Sequence, residues 1–260
     1  MKVCVLGSGS RGNSVWVASG HTRVLFDCGL SATAIANRLR AIGQEPAALK
    51  ALVLSHEHAD HMQGARLLAT RYKLPVYISQ GAFEAAPVIQ RLSSVRFFQP
   101  DLPFRIGEVE INPFTVSHDA VQPVGFAVTN HQVKIGIAMD LGAVTSLVTH
   151  RLTGCDLLVL ESNHDREMLL AGPYPWGVKQ RVRGRNGHLS NDQSSQLLHQ
   201  VADGRLKAVV LAHLSDVNNS PIKAMRKAEL ALKRAGVRGV RIFCAQQRVV
   251  GELISLNEGG

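Results

Sequence analysis

Three histidines and two acids crowd into the six residues His56-Glu57-His58-Ala59-Asp60-His61, directly after the apolar run Leu52-Val53-Leu54. A short continuous apolar run reads as a buried strand, so these ligand-type side chains leave the core together. Histidines two apart on extended backbone point to one side, which lets His56 and His58 address one cation. The chain then turns into helical pattern, where the adjacent Asp60 and His61 can address a second ion nearby. A lone histidine beside a turn is ordinarily solvated. A His-x-His-x-Asp-His cluster emerging from a buried strand is a metal-binding pattern. Two ions about 3.5–4 Å apart can share one water, lower its pKa toward neutrality and so supply a bridging hydroxide as nucleophile, while neutralising charge on a phosphoryl oxygen. A serine nucleophile is then unnecessary, and Ser8-Gly9-Ser10 reads as a turn because the Gly-x-Ser-x-Gly context is absent.

The elements that must position this cluster alternate along the chain. Val3–Leu6, Val15–Val17 and Val24–Phe26 read as short strands, and residues 31–42 have helical spacing with Ser31 as a cap. Helical pattern resumes over His61–Tyr72, followed by a strand at Val76–Ile78. Alternation dominates through Val109–Val116, Gly125–Val128 and Val133–Ile137. Strands at Leu157–Leu160, Ala208–Leu211 and Val240–Phe243 then trade places with helices at Asn191–Val201 and Pro221–Ala235. Ser220-Pro221 is a good helix start. Periodicity alone gives α/β or α+β; two sheets face to face with helices outside would accommodate both halves, about 1–125 and 126–260, in one domain.

Bulk properties narrow the partners. The 260 residues are ample for one core. No apolar run approaches the roughly 20 residues of a membrane span, and the apolar start is too short for a signal peptide and breaks on glycine, so the expected compartment is the cytoplasm. Cys4, Cys28, Cys155 and Cys244 lie far apart and read as small core residues. Lys and Arg number 29 against 20 acids, a formal net charge of +9. That excess points to an anionic partner, with nucleic acid leading.

His56-x-His58-x-Asp60-His61 is the signature of the metallo-β-lactamase superfamily, and the chain resembles that family along its whole length, especially its YycJ/WalJ (VicX-like) branch. Further support comes from Gly7-Ser8-Gly9-Ser10-Arg11-Gly12-Asn13, Asp27-Cys28-Gly29, Glu161-Ser162-Asn163-His164-Asp165, Gly187-His188-Leu189-Ser190-Asn191 and Ala212-His213-Leu214-Ser215. The resemblance implies a four-layer αββα sandwich. It also implies that His118 completes one metal site with His56 and His58, that Asp140 bridges two ions, and that His213 joins Asp60 and His61 on the second. Each of the three follows a predicted strand, where α/β folds place their ligands. Asp27 is implied to fasten loops beneath the site. Nitrogen and oxygen ligands admit zinc, manganese or iron.

Glu161 and His188 resemble the Glu/His pair that tRNase Z-like members place beside the leaving group. A neighbouring carboxylate favours imidazolium and would make His188 a proton donor near neutral pH, with Asp60 orienting the attacking hydroxide. His164 and Asn191, within the branch's motifs, are expected near the substrate. Lys179, Arg181, Arg183 and Arg185 fall at every second position before Gly187-His188. On extended backbone, which Gly172, Pro173, Pro175 and Gly177 upstream favour, they form a row facing one way and suited to a phosphodiester strand; on a helix they scatter. His21, His131, His150 and His199 lie outside every motif and read as solvated.

The expected function is a dinuclear-metal phosphodiesterase acting on nucleic acid, as the resemblance implies a nuclease and specifically a 5′→3′ DNA exonuclease. Hydrolysis of a small or cyclic phosphodiester is the first alternative. A thioester or lactone hydrolase of the glyoxalase II kind fits the basic row and the Glu161/His188 pair less well. A nucleic-acid-binding relic without activity is at odds with a complete ligand set. Common lactamases of this fold lack the full Asp60-His61 and Asp140 set, and the chain is too short for a β-CASP insertion.

Overall fold

The computed structural model describes residues 1–256. Two seven-stranded mixed sheets face each other. The first runs in the order β14-β1-β2-β3-β4-β5-β6, built from β1 (Lys2–Gly7), β2 (Ser14–Ser19), β3 (Thr22–Phe26), β4 (Ala51–Val53), β5 (Val76–Ser79), β6 (Val95–Phe98) and, at its edge, β14 (Ile254–Ser255). The second has the order β13-β12-β11-β10-β9-β8-β7, from β7 (Phe104–Ile106), β8 (Val109–Thr115), β9 (Val124–Thr129), β10 (Lys134–Ala138), β11 (Leu157–Glu161), β12 (Ala208–Ala212) and β13 (Arg241–Cys244). β3 through β6 and β10 through β13 pair in parallel, and the other pairs are antiparallel.

The layering follows from the two-residue period of a strand. Val3 and Val5 join the core between the sheets, together with Val15, Phe26 and Val53 from one side and Phe126, Ile137 and Val159 from the other. Cys4 and Leu6, on the opposite face of β1, pack under α1 (Ala32–Ala41) with Ile35 and Leu39 and under α3 (Ala65–Tyr72) with Leu68. Likewise Leu157 and Val159 point between the sheets, while Leu158 and Leu160 meet Val148 of α5 (Ser146–Leu152), Leu197 and Leu198 of α8 (Asn191–Val201) and Leu232 of α9 (Pro221–Arg234). Strands covered on both faces read as unbroken apolar runs, and three core clusters stacked in this way make the four-layer αββα sandwich.

Several details differ from the sequence reading. The helix expected over His61–Tyr72 is two pieces, α2 (Ala59–Met62) and α3. The break falls at Gly64, whose N–H donates to Cys28 O at 2.8 Å and where a Cβ would come within 2.2 Å of Leu30 O. Ser31 caps α1 by accepting from Ala34 N, whereas Ser220 leads into α9 without a side-chain cap bond. Short elements with no clear period were not anticipated: β6, β7, α4 (Gln80–Glu84), α5, α6 (Arg166–Ala171) and α7 (Trp176–Val182). The chain crosses from the first sheet to the second after Phe98 and returns to the first at β14. Among the described residues no helix is long and apolar enough to cross a membrane.

Candidate metal centre and active site

The carboxyl ends of β3, β4, β8, β10, β11 and β12 converge on one edge of the sandwich, and each delivers a polar side chain to it. Asp27 follows β3, Asp140 follows β10 after one residue, and His213 follows β12; all three have left-handed backbone, at φ 58°, 55° and 54°. Such a conformation costs a non-glycine residue on the order of 1–3 kcal/mol and persists only where surroundings enforce it. Here they do. Asp27 N donates to Val53 O at 2.9 Å, Ser14 Oγ donates to Asp27 O, and His213 N donates to Ser8 Oγ at 2.7 Å. These turns aim the side chains inward as each strand ends.

Hydrogen-bond partners assign the tautomers. Ser55 Oγ donates to Asp27 Oδ2 at 2.9 Å and accepts from His56 Nδ1 at 2.9 Å, leaving the His56 Nε2 lone pair inward. His61 Nδ1 donates to Asp27 Oδ2 at 2.8 Å, and His118 Nδ1 to Gly187 O at 3.2 Å. His213 Nδ1 donates to Glu161 Oε1 at 2.9 Å. Four rings are thus held by Nδ1 with Nε2 facing the centre, the arrangement by which proteins orient metal-binding imidazoles. His58 is the exception; its Nδ1 lies 3.3 Å from His118 Nε2.

The inward atoms form sets within 4.8 Å of one another: His56, His58 and His118; Asp60, His61 and His213; and His56 and His61 with Asp140. Among the described residues His56 Nε2, Asp140 Oδ2 and His213 Nε2 are buried without hydrogen-bond partners. His56 Nε2 stands 3.9 Å and His61 Nε2 2.6 Å from Asp140 Oδ2. His56 thus opposes acceptor to acceptor, whereas His61, which against burial the Asp140 carboxylate holds well above the ordinary imidazole value, meets that carboxylate by sharing a proton that a cation would displace. Buried polar atoms are rarely left unpaired, and a divalent cation satisfies all of them together, so the donor set fits metal ions. Asp140, Glu161, His188 and His213 form a further acidic set. It is a poor ion site because Glu161 already accepts from Leu141 N, Leu189 N, His188 Nδ1 and His213 Nδ1, each at 2.9 Å.

Electrostatics follow from burial and these contacts. Burial lowers His56 and His118, His56 well below the ordinary imidazole value, which keeps their lone pairs free. Burial lowers His61 and His213 too, but the Asp140 carboxylate outweighs it and holds both well above that value. Burial alone would raise Glu161; His188 and His213 bring it to about 2 instead. For His188, burial is overcome by Glu161 and Asp140, which raise it to about 9. His188 is 20% exposed and lines a cleft of about 340 Å³ together with Asp60, His118, Asp140, His213 and Arg181.

Other expected residues lie elsewhere. Lys179, Arg181, Arg183 and Arg185 do not form an extended row: residues 176–182 are α7. The two prolines fall before its first turn, where proline is tolerated, so they start the helix and do not forbid it. Lys179 is buried, its Nζ donating to Leu170 O at 2.6 Å. Of the four only Arg181 lines the cleft, while Arg183 and Arg185 face grooves on other sides. Asn191 is buried away from the cleft, bonded to Ser162 Oγ at 2.7 Å and to Asn219. His164 is buried, bridged to Ser190, and lines a separate cavity.

Some contributors carried no ligand signature. Asn13 places Nδ2 3.1 Å from His61 Nε2 and 3.4 Å from Asp60 Oδ2, and Asn163 Nδ2 donates to His213 O at 2.9 Å. Asn13 sits in the glycine-rich turn after β1, and that turn was the available signal. Gly29 brings the Asp27 loop so near Asp60 O that a Cβ there would collide with it.

Comparison with known proteins agrees with this geometry. A β-lactamase superfamily domain model matches residues 22–214. The chain is 32% identical to the exodeoxyribonuclease WalJ of Streptococcus pneumoniae strain D39, over 84% of this chain and 83% of that one. It is 32% identical to the exodeoxyribonuclease YycJ of Bacillus anthracis, over 89% of each chain. The metallo-β-lactamase fold protein YhfI from Bacillus subtilis superposes with a TM-score of 0.73 at 19% identity, covering 97% of this chain and 98% of that one. By sequence, fold and converging ligands, this chain belongs to the metallo-β-lactamase superfamily of metal-dependent hydrolases, within the branch of WalJ and YycJ.

Proposed function

We propose that this protein is a DNA phosphodiesterase, an exonuclease, using two divalent ions: His56, His58 and His118 would hold one, Asp60, His61 and His213 the other, and Asp140 would assist both. Such ions, zinc, manganese or iron, supply charge neutralisation at a phosphoryl group and a water of lowered pKa. The protein's residues do the rest. Asp60, 26% exposed at the cleft, orients the attacking water. His188, its Nδ1 occupied by Glu161, turns Nε2 to the substrate and protonates the leaving oxygen. Arg181 offers its guanidinium to a phosphate in the cleft.

The observation that carries this reading is the His188–Glu161 pair: a partly exposed imidazole, backed by a wholly buried carboxylate, on the wall of the cleft that holds the ligand cluster. Such an acid serves a poor leaving group, an alkoxide, as phosphodiester cleavage requires. The two relatives named exodeoxyribonucleases support DNA as the polymer. The split of the basic row favours a second reading, hydrolysis of a small phosphodiester, since only Arg181 of the four reaches the cleft. End-labelled single- and double-stranded DNA and RNA, incubated with Mn²⁺ or Zn²⁺ beside bis-p-nitrophenyl phosphate, separate the two. Stepwise shortening of DNA is expected. Turnover of the small diester with every polymer intact would select the second reading.

A further inference from the structure

Three largely apolar side chains line the cleft without a place in the core. Tyr174, Val178 and Val182 are half-buried, yet among the described residues none belongs to or packs against any of the three hydrophobic clusters. Val178 and Val182 stand four residues apart on α7, with Arg181 three after the first, positions that share one helix face. Tyr174 lies just before that helix, and its hydroxyl makes no hydrogen bond among the described residues. The other side chains around the cleft are polar or ionisable, so its apolar surface belongs to this one segment. The segment is fixed relative to the ligand cluster. Lys179 Nζ donates to Leu170 O at 2.6 Å, His188 N to Val182 O at 2.8 Å, and His118 Nδ1 to Gly187 O at 3.2 Å.

Apolar surface open in an otherwise polar cleft is stabilised by a flat apolar group that covers it. In a nucleic-acid strand that group is the base. It carries a π face beside each phosphate, and aromatic side chains stack on it whatever its identity. The cleft, at about 340 Å³, lies at the small end of the range for ligand sites, about 300–1,000 Å³, which suits one nucleotide better than a stretch of duplex. We infer that Tyr174, flanked by Val178 and Val182, stacks on the nucleobase next to the scissile phosphate while Arg181 holds that phosphate. The inference rests on the proposed phosphodiesterase action and adds to it a base subsite indifferent to sequence. Because α7 is bonded to the backbone of His188, a base seated on this wall sets its phosphate at a fixed place before the proton donor.

The test uses metal-loaded protein and the 5′- and 3′-monophosphates of 2-aminopurine deoxyribonucleoside, whose fluorescence is quenched on stacking and which contain no diester to cleave. The wild type should bind and quench at least one of them. Tyr174→Ala should weaken that binding roughly 5- to 150-fold, the worth of one stacked base, and lose the quenching. Tyr174→Phe, which keeps the ring, should retain both. In the wild type alone, the corresponding deoxyribose phosphate without a base should compete more weakly than the nucleotide by a factor in the same range, and this comparison decides the matter if Tyr174→Ala does not fold. A wild type that leaves the base unquenched, equal competition by the baseless sugar phosphate, or Tyr174→Ala protein that binds and quenches as the wild type does overturns the inference. DNA hydrolysis by the same preparations is scored separately. DNA shortened by a protein that quenches no base leaves the nuclease reading standing without this subsite. Quenching by a protein that leaves every polymer intact but turns over the small diester keeps the subsite and overturns the nuclease reading.

Discussion

Changing Glu161 to glutamine removes one charge and one acceptor at the point where the metal centre and the proton donor meet. The carboxylate is fully buried, with Oε2 accepting from Leu141 N and Leu189 N and Oε1 from His188 Nδ1 and His213 Nδ1. Glutamine has one oxygen and one amide nitrogen, so whichever way it sits, two of the four donors meet another donor. Facing the backbone, its NH₂ would strand two buried N–H groups that cannot reverse, at about 1–3 kcal/mol each. Facing the histidines costs less, because an imidazole can move its proton. For His213 that moves the proton to Nε2, the atom aimed at Asp60 Oδ2 at 3.5 Å, and removes the lone pair a cation needs. The expected result is a folded protein whose affinity for the ion at Asp60, His61 and His213 falls about 10–100-fold, the usual effect of losing a ligand's orienting partner. Its hydrolysis should fall further, because His188 loses the carboxylate that raises it to about 9. Chelator competition gives the affinity, and ¹⁵N–¹H spectra of the imidazoles give the tautomer. Glu161→Gln protein that holds metal within twofold of wild type, with His213 still protonated at Nδ1, would refute this reasoning.

Asp140→Ala should lose or weakly hold both ions, since Asp140 neighbours both ligand sets, whereas His118→Ala should chiefly empty the site with His56 and His58; elemental analysis of reconstituted protein checks both, and one ion or none in the wild type would sink the dinuclear reading. His188→Ala should keep its metal and lose roughly 10²–10⁴-fold in rate on DNA, with a smaller loss on p-nitrophenyl esters, whose leaving group needs little protonation; equal losses would remove His188 as the acid. Asp156 accepts from Lys134 N at 2.9 Å and pairs with Arg205 and Lys207; burial would raise its carboxyl, but these contacts hold it below the usual value. Its stabilisation is therefore present above the unfolded value, near 3.9, and lost as pH falls through the lower native one. Asp156→Asn should be about 1–3 kcal/mol less stable than wild type at neutral pH, and urea unfolding in increasing acid should show that gap closing; a gap that is the same at every pH would exclude the charge as its source.

Much of the site was legible because its information is local. His56, His58, Asp60 and His61 lie on consecutive backbone at the end of a buried strand, and apolar periods place strand and helix without knowledge of their partners. His118, Asp140 and His213 rested on resemblance, because a lone histidine or aspartate after a strand has no spacing to distinguish it. What the sequence by itself determined was therefore the local cluster of His56, His58, Asp60 and His61 and the alternation of elements. Tertiary structure alone decided the rest. Left-handed turns at Asp27, Asp140 and His213 run against the preferences of those residues; Val53 O from the neighbouring strand holds Asp27 N, and the Ser8 and Asn163 side chains hold the His213 backbone. The tautomers of His61, His118 and His213 depend on Asp27, Gly187 and Glu161, brought in from other strand ends and loops. The basic residues before His188 show the same limit most sharply. Their alternation on extended backbone would have been a row, but Lys179 and Arg181 are wound into α7, whose start the prolines tolerate, and Arg183 and Arg185 fall in the turn after it. A two-residue spacing has a direction only once the backbone conformation is fixed, and that conformation is chosen by contacts distant in sequence.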